Sequence, residues 1–226
     1  MPKNFHKNKY NSGMTLIELL VVVFIFMIIT SITIFSYGKF NSSLSIQNLA
    51  DDIALSVRRA QGFAIGVRGA SGSFTDGYGI HFTANPTISD LSAGSNKSFI
   101  LFTDIATPTK PPNKKYDYDS SVKCGSLTLS NECMEVLSIT SADQIDSIYL
   151  NSDLTSISQT GTVDILFYRP NPEPIFCYRS GPASIGCDKS SDISSIRIKI
   201  SNITNPETFK IITIANNGQI SVSSSN

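Results

Sequence analysis

MTLIELLVVVFIFMIITSITI, residues 14–34, is the stretch on which the reading of this chain turns. From Leu19 to Ile29 every residue is apolar, and Glu18 is the only charge in the run. A helix of this length rises roughly 30 Å, the thickness of a bilayer's hydrocarbon core. A helix at the surface of a soluble core keeps a polar face toward water, whereas one apolar all round has the pattern of a membrane span. The run is read as a membrane segment.

Upstream lies MPKNFHKNKYNSG, with Lys3, Lys7 and Lys9 and no acid. Basic residues ahead of a hydrophobic helix stay in the cytoplasm, so the C-terminal bulk is expected on the outer side of the membrane. An ordinary secretory signal has a shorter apolar core of 7–15 residues and an A-x-A-like site behind it. Here the run is longer, and Ser31 and Ser36 are poor substitutes for that site. No cysteine follows closely, which argues against a lipoprotein anchor at this end.

The residues at the junction are more specific: Gly13-Met14-Thr15-Leu16-Ile17-Glu18, then Leu19-Leu20. This pattern, with its basic leader and long apolar run, resembles the class III signal of type IV prepilins and pseudopilins. The resemblance implies cleavage by prepilin peptidase after Gly13 and methylation of the new amine on Met14. Glu18 becomes the fifth mature residue. Two departures are visible: Met14 stands where Phe is commoner, and no proline interrupts the run. The helix therefore lacks the usual cause of a kink.

Glu18 invites two compatible readings. Locally, Thr15-Leu16-Ile17-Glu18 fits a capping box, in which the acid bonds back to the helix start. A carboxylate near one end of a membrane helix is costly unless paired or close to the interface. The resemblance implies that pairing occurs in a filament, with the Met14 ammonium of a neighbouring subunit.

Past Gly38 the spacing remains helical, with Leu44, Ile46, Leu49, Ile53, Val57, Ala60, Ala64 and Val67 at steps mostly of three or four. Acids early and arginines late suit the helix dipole. The helix is expected to run from Met14 to about Val67, its second half lying on a globular head. Gly66, Gly69, Gly72, Gly77 and Gly79 then break it, without the spacing of a phosphate loop. Beyond them the period changes to two. Strands are expected at 78–83, 98–103, 147–150, 162–168, 174–178, 194–200, 209–215 and 220–223. Asn217-Gly218 is a hairpin signal between the last two, and Pro170 and Pro172 mark another turn. The fold class is α+β, a long N-terminal helix packed on an antiparallel sheet. The expected organisation is a leader (1–13), a membrane or filament-core helix (14–37), its amphipathic continuation (38–68) and a β-rich extracytoplasmic head (69–226). The segment LADDIALSVRRAQGFAIGVR, with the hairpin at the end, is similar at the level of pattern to H-class minor pseudopilins of type II secretion and to related minor pilins.

Cys124, Cys133, Cys177 and Cys187 lack C-x-x-C spacing, which disfavours zinc and redox motifs. An extracytoplasmic head favours disulfides, and four cysteines allow three pairings. Cys124–Cys133 and Cys177–Cys187 are preferred, because each pair brackets a turn-rich segment.

Composition narrows the function further. Charged residues make up 16% of the chain, basic and acidic residues number 18 each, and the histidines are His6 and His81 alone. Acid–base catalysis is poorly supplied, and no cofactor or metal is expected; Asp117 and Asp119 alone do not make a calcium loop. Without the leader's 3 lysines the basic count becomes 18 − 3 = 15 against 18 acids, and the last hairpin has no arginine, so nucleic acid is not an expected partner. Lys110, Lys114 and Lys115 are only a small loop cluster. The expected function is a minor pilin or pseudopilin. Its partners are prepilin peptidase, other pilin subunits and, before assembly, membrane lipid. A DNA-binding minor pilin and a membrane-anchored extracytoplasmic binding protein are the alternatives.

Overall fold

A computed structural model describes residues 13–66, 77–86, 90–105, 111–128, 130–151, 161–179, 187 and 193–224; for Phe35 and Ser36 it describes the backbone alone. The basic leader before Gly13, Val67, Gly69, Gly72 and Lys110 lie outside the described residues.

One helix, α1 (Leu16–Ile65), precedes nine strands. The strands are β1 (Gly77–Thr83), β2 (Ser98–Asp104), β3 (Cys133–Ser138), β4 (Asp143–Leu150), β5 (Thr162–Tyr168), β6 (Asn171–Arg179), β7 (Ser195–Asn202), β8 (Phe209–Ala215) and β9 (Ile220–Ser223). The fold is α+β with an antiparallel head, and the head has two sheets where the periodicity suggested one. The first runs β3-β2-β1-β5-β6 and the second β4-β7-β8-β9. The chain divides into two compact units, 1–41 and 42–226.

In the first unit the apolar side chains of α1 are exposed from Leu16 through Ile34. Its best 18-residue window has a mean hydropathy of 2.8. Such a surface is unstable in water and stable in hydrocarbon.

In the second unit, Ile46, Leu49, Ile53, Val57, Ala60 and Ala64 of α1 are buried at the expected spacing. They join Tyr78, Ile80 and Phe82 of β1, Val163, Ile165 and Phe167 of β5, Ile196, Ile198 and Ile200 of β7 and Ile212 and Ile214 of β8 in one core. Alternate residues of each strand point inward, the period expected of a face packed on one side. Leu44 departs from expectation. It is 47% exposed, because burial on α1 begins only at Ile46.

The outer face of the five-stranded sheet carries a second, smaller core of Ile100, Phe102, Tyr116, Cys133, Leu166 and Cys177. Residues 111–128 therefore contribute to a covering layer over this face. Close packing here explains Gly79, since a Cβ would lie 2.7 Å from the Ile165 carbonyl and 2.9 Å from the Phe102 ring. At the far hairpin Gly218 adopts φ 81°, and the Ala215 amide donates to Gln219 O at 2.9 Å. Only glycine enters that backbone region freely.

Candidate functional site

Two polar sites stand out, one at the start of α1 and one beneath the covering layer of the head.

At the helix start, Thr15 precedes Leu16, the first residue of α1, and occupies the N-cap position. The Glu18 amide donates to Thr15 Oγ1 at 3.3 Å, and the Thr15 amide donates back to Glu18 Oε2 at 3.2 Å. The Thr15 hydroxyl also donates to Glu18 Oε2 at 3.2 Å. This is a capping box closed in both directions, and it satisfies two amides that otherwise have no partner within the helix. The negative carboxylate also lies at the positive end of the helix dipole. Met14 is exposed directly ahead of it, and Gly13 has nothing within 4 Å of the place a Cβ would occupy. The junction is thus an open peptide next to an ordered first helical turn.

In the head, His81 is buried, with Nδ1 2.5 Å from Asp164 Oδ1. Asp164 Oδ2 accepts from Arg179 at 2.9 Å and from the Tyr116 amide at 3.2 Å. The lone strand histidine is therefore held in a structural ion cluster. Asp104 accepts from the amides of Asn113 and Lys114 and from the Tyr168 hydroxyl. Glu132 accepts from the amides of Ile105 at 3.1 Å and Asp117 at 3.0 Å. Burial pushes the Asp104 carboxyl upward, against these bonds. It raises Glu132 to about 8, with Asp104 and Asp117 adding repulsion. Burial likewise raises the Tyr116 phenol.

Other candidates have local partners. Asp117 accepts from Asn113 Nδ2 at 2.7 Å and pairs with Lys115 at 2.8 Å. Asp119 accepts from the Ser121 amide at 2.9 Å and from the Ser130 hydroxyl at 3.2 Å. Among the described residues, no group of three or more His, Cys, Asp and Glu side chains is placed to hold a metal ion. Lys114 donates its amide to Asp104 with φ 62° and Lys115 pairs with Asp117, so these two lysines belong to the covering layer. The cysteines come together as Cys124 with Cys133, Sγ atoms 1.87 Å apart, and Cys177 with Cys187, 1.97 Å apart.

The buried carboxylates were not legible as a group in the sequence. Asp164 stands between Val163 and Ile165 in TVDILFY, where strand alternation expects a polar residue on the outward face, and the one signal that this face is covered was the apolar Leu166 two residues on.

The model of the prokaryotic N-terminal methylation motif matches residues 8–34, the stretch containing Gly13, Met14 and the capping box. The match supports a type IV pilin-like family. No curated protein and no solved structure matches it. The motif implies processing by prepilin peptidase and assembly with other pilins. It points to a structural protein, and with the apolar helix it fits membrane anchoring.

Proposed function

We propose that this pilin-like protein is a minor pilin or pseudopilin, a subunit of a type IV pilus or of a type II secretion pseudopilus. Prepilin peptidase cuts it after Gly13 and methylates Met14. Before assembly it lies in the cytoplasmic membrane with the leader inside and the head outside, as the lysines of the leader require. It then enters a filament through residues 14–37, which exchange contact with lipid for contact with the helices of neighbouring subunits.

The observation that carries this reading is the match over residues 8–34. The chemistry agrees with it. The Glu18 carboxylate lies one helical turn from the new amine, so a neighbour displaced along the filament axis can set its ammonium against it. In a low-dielectric core the pair offsets much of the cost of burying either ion, and an unpaired member is heavily penalised. Pairing thus selects an axial register, which apolar packing alone does not. In the head, outside the membrane, the two cysteine pairs are oxidised.

The test is the mass of the mature N-terminus on filament-associated protein. The expected species begins at Met14 and carries one methyl group on its amine. A chain that retains Met1 in the filament fraction overturns the reading.

A further inference from the structure

The face of α1 that the head leaves uncovered has an order of its own. Asn48, Asp51, Leu55, Arg58, Gly62 and Ile65 are all exposed, at alternating steps of three and four residues. That is the spacing of a seam between two parallel helices, and it is separate from the stripe of Ile53, Val57 and Ala60 that enters the core. Leu55 is 63% exposed and Ile65 48%. Gly62 lies within the helix without a positive φ, so no turn calls for glycine there. Among the described residues, a Cβ on Gly62 would meet nothing within 4 Å. Glycine weakens a helix relative to alanine, so its place on this face is a hollow that the chain itself does not use.

Charge orders the same face. Asp51 stands one turn before Leu55, and Arg58 one turn after it. Asp52 adds to the acid end, whereas Arg59 is turned aside to Glu135 at 2.6 Å. Asp51 accepts from Gln47 Nε2 at 3.1 Å and stays exposed. Two parallel copies in register set Asp51 against Asp51 and Arg58 against Arg58, and like charges repel. A shift of seven residues, roughly 10 Å along the axis, sets Asp51 against Arg58 and lays Leu55 over the hollow at Gly62. A groove beside the seam adds apolar surface next to both charges, where Ala54, Ile220 and Val222 line it together with Asp51, Leu55 and Arg58.

We infer that this seam docks a second copy of the chain, parallel and displaced by seven residues, so that Asp51 of one copy meets Arg58 of the next. Under the filament reading, on which this contact rests, neighbouring subunits share one direction. Antiparallel copies would also match the charges, with Leu55 against Leu55, and the shared direction excludes them. With an axial displacement, a contact between different patches of identical chains does not close into a ring. Each copy offers Asp51 to one neighbour and Arg58 to another, and the contact repeats along the filament. The head thereby carries a register of its own, outside the membrane and independent of Glu18.

Cross-linking of full-length chains in sheared filaments reads the register. Copies carrying Asn48→Cys are co-expressed with tagged copies carrying Leu55→Cys and treated with a short bismaleimide, which spares the native cysteines because all four are paired. The staggered contact sets position 48 beside position 55, so a mixed dimer is expected, and Leu55→Cys alone should give none. Asp51→Arg or Arg58→Asp alone should lower the mixed dimer about two- to tenfold, and the two together should restore it with the pair reversed. Both positions are exposed, so the head should melt as in wild type. A dimer linked through position 55 of both copies, the absence of a mixed dimer, or no recovery in the double variant overturns the contact. The mature N-terminus is read on the same fraction. A start at Met14 with no mixed dimer overturns this contact alone, whereas a retained Met1 overturns the filament reading with it.

Discussion

Glu18 and Asp164 are both carboxylates flanked in sequence by apolar residues, and they are held in different ways. Among the described residues, Glu18 is held only by its own helix end, through Thr15. Glu18→Gln keeps the size and part of the capping, so insertion, cleavage and a folded head should survive. Filament incorporation, measured by shearing and blotting, should fall severalfold. Unchanged incorporation would leave the cap, about 1 kcal/mol in typical helices, as the whole of its role. Asp164, by contrast, is fully enclosed and answers His81, Arg179 and the Tyr116 amide at once. Asp164→Ala leaves those groups buried without a partner, and the head should lose about 3–5 kcal/mol in denaturant melts. A loss under about 1 kcal/mol would mean that water replaces the carboxylate.

At the scale of elements, α1 is one helix in two environments. In its second half the spacing separates Ile53, fully buried, from Leu55, 63% exposed two residues later. Ile53→Ala should cost about 2–5 kcal/mol of head stability, whereas Leu55→Ser should stay within about 0.5. Equal costs would show that the helix faces are misassigned. The strands at 162–168, 209–215 and 220–223 have the bounds their alternation indicates, and the others differ by one to four residues at their ends. β3 was not legible at all. CMEVLS is an edge strand that pairs with β2 alone, and its residues after Cys133 are only half buried or exposed. With no face fully enclosed, selection for alternation is weak and Glu135 sits within it to pair with Arg59 at 2.6 Å.

At the scale of the molecule, the two cysteine pairs fasten the covering layer. The pairs are 9 and 10 residues apart, and closing loops of that size restricts the unfolded chain by somewhat under about 3 kcal/mol each in the chain-entropy model. Mass mapping without reductant should find Cys124 linked to Cys133 and Cys177 linked to Cys187. Reduction should lower the Tm of the head on the order of 5–10 °C per bond. Peptides joining one pair to the other would overturn this assignment.

What the sequence by itself determined is what depends on neighbours along the chain. An uninterrupted apolar run of this length makes a helix that fits membrane anchoring, and Thr15 with Glu18 three residues later caps it. A step of three or four buries one face, and Asn217-Gly218 turns a hairpin, because each needs only local backbone geometry and the residue types at hand. What only the tertiary structure decided is which distant groups meet. The division of nine strands between two sheets is one such outcome. The others are the layer over the first sheet and the meeting of Asp104, Glu132 and Asp164, which lie far apart in the chain. Pairing between strands depends on the register and burial of whole faces, and the state of a buried acid depends on every charge and amide packed around it. Neither quantity is carried by a residue's own type or spacing, and so both appear only once the chain has folded.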